Sequence, residues 1–199
     1  MRPPALLTAA LVGWLAVVPA APAAADIFVS PFVGLKFKGD TNAIDFENGA
    51  SETKPTLGIA GVVVSDQGLG FELELGYSSR FFERADRDLV TRSAVTTLSG
   101  NVMLAAPLSV TRESLRPYVV GGLGWMHASA NDLIAFGPFS NDFLGLTLGA
   151  GAVGFIGDVT GLRFDLRYMK SVSSSDVSDV SGERARLRFW RASIGVVLR

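Results

Sequence analysis

The chain contains no cysteine and a single histidine, His127, in 199 residues. The first absence excludes disulfide staples. Together the two exclude the usual zinc and copper sites, which collect several thiolate or imidazole ligands. Long apolar runs are also missing beyond residue 25, where no segment reaches the ~18 apolar residues a membrane helix needs. Charge of one sign is not in excess, the formal net charge being −1, so nothing global points to nucleic acid. No Gly-rich loop opens onto a helix, which leaves nucleotide binding without support.

What is present is an apolar, glycine-rich composition, 48% hydrophobic with 22 glycines. The amino terminus reads as a cleaved export signal over residues 1–25. Arg2 supplies the positive start, Ala5 to Val18 the apolar stretch, and Ala23-Ala24-Ala25 a small-residue exit. Residues 26–199 then form one domain. An exported domain without disulfides needs a sizeable core or a closed hydrogen-bond network. A membrane β-barrel reconciles high apolar content with the lack of membrane helices, because each strand gives only half its residues to lipid.

The segment LGFELELGYS shows the required pattern. Leu69, Phe71, Leu73, Leu75 and Tyr77 fall on one face, and Gly70, Glu72, Glu74, Gly76 and Ser78 on the other. Period two is the β signature. A wholly apolar face opposite a carboxylate-bearing one places lipid outside and a polar lumen inside. Leu162, Phe164, Leu166 and Tyr168 against Arg163, Asp165 and Arg167 repeat the logic.

Eight strands are expected, at 27–38, 56–65, 69–79, 92–106, 115–127, 143–156, 161–170 and 184–198. Short turns (65–68, 107–114 and 157–160) alternate with longer polar loops at 39–55, 80–91, 128–142 and 171–183. An even strand count with short turns at one end and long loops at the other defines the fold class. It is all-β: an eight-stranded antiparallel transmembrane up-and-down β-barrel with periplasmic termini. In that orientation Phe71, Phe155 and Phe164 lie near the periplasmic edge. Phe37, Tyr77, Trp125, Phe143, Tyr168 and Trp190 lie near the outer edge, giving two aromatic belts. Leu187 and Phe189 have the wrong parity for the lipid face of the last strand. A bulge near Phe189, or a segment standing above the membrane, is expected there. The glycines of strands five and six (Gly121, Gly122, Gly124, Gly145, Gly149, Gly151, Gly154) make room for large lumen side chains from opposing strands.

The series RPYVVGGLGWM (116–126), LGLTLGAGAVGFIG, LRFDLRYM and RASIGVVL resembles the small outer-membrane β-barrel domain family, the OmpA-like and OmpX-like eight-stranded proteins. The resemblance spans most of 26–199. It implies a Gram-negative outer-membrane location and insertion by the barrel-assembly machinery. Its motifs concern the fold and carry no reaction. Members commonly end in an aromatic residue, whereas this chain ends Val197-Leu198-Arg199.

Candidate chemistry is sparse. Lys36, Glu72, Glu74, Arg163, Asp165, Arg167 and also Arg191 are expected in the lumen. They would form a structural ion-pair network rather than a channel lining, since eight strands leave an interior just wide enough for side chains. His127-Ala128-Ser129 resembles the His-x-Ser spacing of the outer-membrane lipid A deacylase. A histidine base needs an orienting acid, and neither Asp132 in its loop nor distant Glu183 serves. His127 is therefore read as a belt residue, and no catalytic, cofactor or metal residue is assigned. The loop acids, Asp40, Asp45, Glu47, Glu52, Glu83 and Asp86 among them, read as a solvated acidic cap rather than calcium ligands. Lys38, Arg92, Lys170, Arg184, Arg186 and Arg188 fall at the outer strand ends as a basic rim. They are candidates to contact lipopolysaccharide phosphates, with simple snorkelling as the competing reading.

The sequence thus points to a non-enzymatic outer-membrane barrel. Its role would be envelope integrity, or surface interaction through loops whose partner the residues do not name. Transport of a small, hydrophobic solute through an OmpW-like barrel is the first alternative, and lipid A modification the second. Expected partners are outer-membrane lipid, lipopolysaccharide and the assembly machinery, with no nucleic acid.

Overall fold

The alternating segments pair in sequence order and the last returns to the first. The computed structural model describes residues 25–41, 53–79, 90–111, 115–133, 139–172 and 187–199. Its strands are β1 (Ala25–Thr41), β2 (Lys54–Ser65), β3 (Leu69–Ser79), β4 (Val90–Ala105), β5 (Arg116–Leu133), β6 (Phe139–Phe155), β7 (Thr160–Ser171) and β8 (Leu187–Leu198). They form a closed antiparallel barrel. Closure leaves no unpaired strand edge, the condition for placing backbone in hydrocarbon.

Exposure follows the pleat. On β3 every apolar residue from Leu69 to Tyr77 is exposed, Leu73 by 61%, while Glu72 and Glu74 are buried. The barrel is inside-out relative to a soluble one, with charge within and Leu, Ile and Val outside.

The β2–β3 turn is tight. Gly68, at φ 104°, closes the β2–β3 turn by donating its N–H to Ser65 O at 2.9 Å. That left-handed φ suits a residue without a Cβ. The β4–β5 connection contains one helical turn, α1 (Leu108–Thr111).

Several expectations are corrected. β5 and β6 run well past the expected ends at 127 and 143. His127 stands opposite Asp142 and Ala130 opposite Phe139, so much of the expected loop 128–142 is a hairpin continuing the ladder. Phe143 and Phe155 do not belong to the aromatic belts. Their parity turns them inward, Phe143 into an upper apolar cluster and Phe155 against a lower one. Leu187 and Phe189 likewise point into the barrel, and β8 pairs with β7 without interruption. The bulge is on β1 instead. Phe37 pairs with Trp190 and Asp40 with Arg188, so β1 carries one extra residue there, with Lys38 at φ 49°. The expected strand residues 184–186, most of the loops at 39–55, 80–91 and 171–183, and loop acids such as Asp45, Glu47, Glu52, Glu83, Asp86 and Glu183 lie outside the described residues.

Candidate functional site

At one level of the lumen three neighbouring strands present cations side by side. Lys36 on β1 stands opposite Arg191 on β8, which stands opposite Arg167 on β7. All three are buried to 2% exposure or less. Like charges facing each other across a strand pair repel, and in a dry interior each must find a counter-charge.

β3, four strands from β7 in a ring of eight, supplies it across the lumen. Glu74 Oε2 accepts from Arg191 Nη2 at 2.7 Å and lies 3.1 Å from Arg167 Nη1. Glu72 accepts from Arg167 at 2.7 and 2.9 Å, from Arg163, and from Asn101 Nδ2 at 2.8 Å. Asp165 completes the layer from β7 itself, accepting from Arg167 Nε at 2.7 Å, Arg163 Nη2 at 2.9 Å and the Tyr118 hydroxyl at 2.5 Å. Tyr118 in turn accepts from Arg163 Nε at 2.7 Å. Lys36 also has an interaction partner. The structure thus brings all six lumen residues singled out in the sequence, and Arg191, into one interior. Tyr118 and Asn101 belong to the layer as well. Neither stood out by charge, although the alternation of β4 and β5 puts both on the inner face.

Glycines give these long side chains their space, in a way that refines the expectation. The relief lies mostly on adjacent strands rather than opposing ones. Gly149 is directly opposite Arg167, and a Cβ there would sit 2.9 Å from Arg167 Cγ. Gly151 is directly opposite Tyr118, and a Cβ there would strike the Tyr118 hydroxyl. Arg167 passes its glycine partner to reach β3 on the far wall, and Tyr118 passes its own to reach Arg163 and Asp165 on β7.

Apolar layers cap the ionic one at both ends. At the end bearing the chain termini, Phe28, Val62, Met103, Val120, Val153 and Val197 pack together with Tyr118. At the other end, Val95, Met126, Phe143, Met169, Leu187 and Phe189 do the same. A cavity bounded by Phe32, Glu74, Arg163, Asp165, Ser193 and Gly195 has room for about one water. Below the lower layer Arg116 ties the floor, donating to Ala106 O at 2.7 Å and Ser65 O at 2.6 Å. Arg199 holds the last strand to the first through Asp26 at 2.9 Å and lies 4.0 Å over the Phe155 ring.

At the outer rim, Lys38, Lys170 and Arg188 are exposed. Arg92 is placed on β4 opposite Asn131, and Arg184 and Arg186 lie outside the described residues. His127 stands on the outer face of β5. Its Nδ1 is 2.6 Å from Asp142 Oδ1 on β6, an acid the sequence reading grouped with the loops. Only the β5–β6 register makes them neighbours. The imidazole stacks on Trp125 with ring centroids 5.4 Å apart and an interplanar angle of 28°. Its faces therefore look along β5 and its nitrogens across the strands. Ser129 lies two residues further along β5. Among the described residues His127 thus has an acid partner, Asp142, which neither Asp132 nor Glu183 supplied in the sequence.

A closed eight-stranded antiparallel barrel, apolar outside and charged inside, is a membrane-spanning porin-like scaffold with a filled lumen. Residues 8–199 match the family model for the outer membrane protein beta-barrel domain, and the chain belongs to that family. Comparison with curated protein sequences finds no match. Among solved structures it is similar to Neisserial surface protein A, at 12% identity and TM-score 0.63, covering 87% of this chain and 97% of that one. It is similar to OprG from Pseudomonas aeruginosa, at 14% identity and TM-score 0.58, covering 89% and 97%. It is also similar to the attachment invasion locus protein Ail of Yersinia pestis, solved with the heparin analogue sucrose octasulfate, at 12% identity and TM-score 0.51, covering 87% and 99%. At these identities the likeness is one of fold. The protein is an outer-membrane β-barrel protein.

Proposed function

We propose that this protein is a non-enzymatic, non-conducting barrel of the Gram-negative outer membrane. It contributes to envelope integrity and presents its extracellular loops for surface interaction. One observation carries the reading: among the described residues the lumen holds a buried ionic layer between two apolar layers. The signal over residues 1–25 delivers the chain to the periplasm, and the assembly machinery inserts it.

The test is conductance of the refolded protein in a planar bilayer. No discrete current steps are expected. Steps that scale with salt would instead establish the transport alternative. That alternative needs an apolar, laterally open lumen, whereas the walls at mid-height carry Glu72, Glu74, Arg163 and Arg167. The lipid A-modifying alternative is tested by incubating lipopolysaccharide with the protein and with His127→Ala. Fatty-acid release that the substitution abolishes would overturn the non-enzymatic reading.

A further inference from the structure

We infer that a single buried water clasps the barrel where its first and last strands meet. It is held on the lumen side of the β1–β8 seam between Glu74 of β3, Ser30 of β1 and Ser193 of β8. The inference goes beyond the function proposed above, since it concerns how the barrel is closed and not what its loops bind or whether it conducts.

Three observations converge there. The first is a break in the ladder. Pairing of β1 with β8 passes from Val29 opposite Leu198 directly to Phe32 opposite Gly195, so Ser30 and Pro31 form no rung with β8. Pro31 has no N–H to donate, and proline within a sheet ordinarily keeps to an edge strand. On its other side β1 is paired without interruption, Ser30 with Ala60 and Pro31 with Ile59 of β2. The second observation is a pair of buried polar atoms that no protein group satisfies. Ser30 is fully buried and its Oγ has no hydrogen-bond partner in the protein. Glu74 is 2% exposed; its Oε2 accepts from Arg191 at 2.7 Å, while Oε1 has no partner. Leaving such groups unpaired in a dry interior is costly. The third is the cavity bounded by Phe32, Glu74, Arg163, Asp165, Ser193 and Gly195. Phe32 and Gly195 form the rung at which the ladder resumes, so this space lies just inside the break. A Cβ on Gly195 would stand 2.7 Å from Ser30 Oγ, which puts that hydroxyl at the cavity's edge.

The chemistry of the walls selects the occupant. An anion would face the carboxylates of Glu74 and Asp165, and a cation would face the guanidinium of Arg163. Glu74 Oε1 needs a donor, whereas the serine hydroxyls can give or take a proton. Water is neutral, donates and accepts at once, and matches a space with room for about one molecule. It donates to Glu74 Oε1 and bonds the hydroxyls of Ser30 and Ser193. The first, third and last strands are thereby joined through side chains at the point where Pro31 interrupts the backbone ladder, and a bridging water holds nearly as well as a direct hydrogen bond.

Two measurements on the refolded full chain test the site. In a crystal structure of the wild type, one water should lie within hydrogen-bond distance of Glu74 Oε1 and of the hydroxyl of Ser30 or Ser193. No density in the cavity, or Glu74 Oε1 turned onto a protein donor, would overturn the site. An anomalous signal there from crystals soaked in bromide would identify an anion and overturn the assignment to water. The second measurement is the sign of the effect of Ser30→Ala, read as the urea midpoint in lipid vesicles and as amide exchange at Phe32 and Gly195. If water satisfies Ser30 Oγ, alanine removes a hydrogen bond that is made. The midpoint should then fall, and exchange at the two seam amides should quicken about fivefold while that of β4 and β5 stays unchanged. If the hydroxyl is orphaned, alanine removes a buried unsatisfied group, and a midpoint that rises or stays put would overturn the inference. Equal quickening in β4 and β5 would show a general loosening and would overturn the clasp as well. The wild-type crystal structure decides the question by itself if Ser30→Ala does not fold.

Discussion

Replacing Glu72 by glutamine is the sharpest perturbation of the lumen. Glu72 accepts from two guanidinium groups and one amide, and its side chain is shielded from water. The ionic layer as built sets Lys36, Arg163, Arg167 and Arg191 against Glu72, Glu74 and Asp165. Loss of the Glu72 charge leaves four cations facing two carboxylates in an interior whose adjoining cavity has room for about one water. Breaking a buried pair in this way costs about 3–5 kcal/mol, because the orphaned charge stays desolvated. Asp165 still contacts both Arg163 and Arg167, which holds the loss inside that range even though two arginines lose a partner.

Glu74→Gln should cost less, about 1.5–3 kcal/mol, because Glu74 Oε1 has no hydrogen-bond partner and only the other oxygen is engaged. The assay is a urea titration of protein refolded into lipid vesicles, followed by the fluorescence of Trp125 and Trp190. A double-mutant cycle between Glu72→Gln and Arg163→Gln should show coupling of about 1–3 kcal/mol. A Glu72→Gln cost below about 1 kcal/mol, the range of an exposed pair, would refute the argument. So would a larger cost for Glu74→Gln than for Glu72→Gln.

Three other outcomes are expected. Leu73→Arg, on the lipid face at 61% exposure, should destabilise the refolded barrel by ~2–4 kcal/mol if that residue lies at the bilayer midplane; full tolerance in the same titration would contradict a lipid-facing β3. Gly149→Ala should destabilise by about 1–3 kcal/mol because the added carbon sits within 3.1 Å of Arg167, Leu166 and Val120 atoms. Gly61→Ala, with nothing within 4 Å, should be neutral or stabilising by about 0.4–1 kcal/mol, and the reverse order of the two glycines would show that lumen packing is not what selects them. Arg116→Gln removes the guanidinium that ties Ser65 O and Ala106 O; amide exchange in the β2–β3 and β4–β5 turns should rise, while exchange at mid-barrel stays unchanged.

Strand count, the face each strand turns to lipid, and the charged lumen were legible in the sequence. All three follow from period-two alternation within single strands, as in Leu69–Ser78 and Leu162–Tyr168. A local pattern needs no partner to be read. Parity also held the answer for Leu187, Phe189, Phe143 and Phe155, whose inward positions fit the alternation of their own strands. The expectation of an aromatic belt overrode it. The meeting of β3 carboxylates with β7 arginines was legible too, because opposite strands in a ring of eight are fixed once the barrel closes.

What only the tertiary structure decided depends on register and height, which no single strand encodes. The pairing of β5 with β6 extends past the expected ends and turns Asp142 from a loop acid into the partner of His127. The extra residue on β1 is invisible in composition, yet it moves the bulge from Phe189 to Lys38 and sets Lys170, Arg188 and Lys38 on one rim. Height across the lumen decides that Glu72 is engaged through both carboxylate oxygens, by Arg163, Arg167 and Asn101, whereas Glu74 is engaged through Oε2 alone, by Arg191 and Arg167. Alternation sorts side chains to two faces; closure of the ring determines which of them meet.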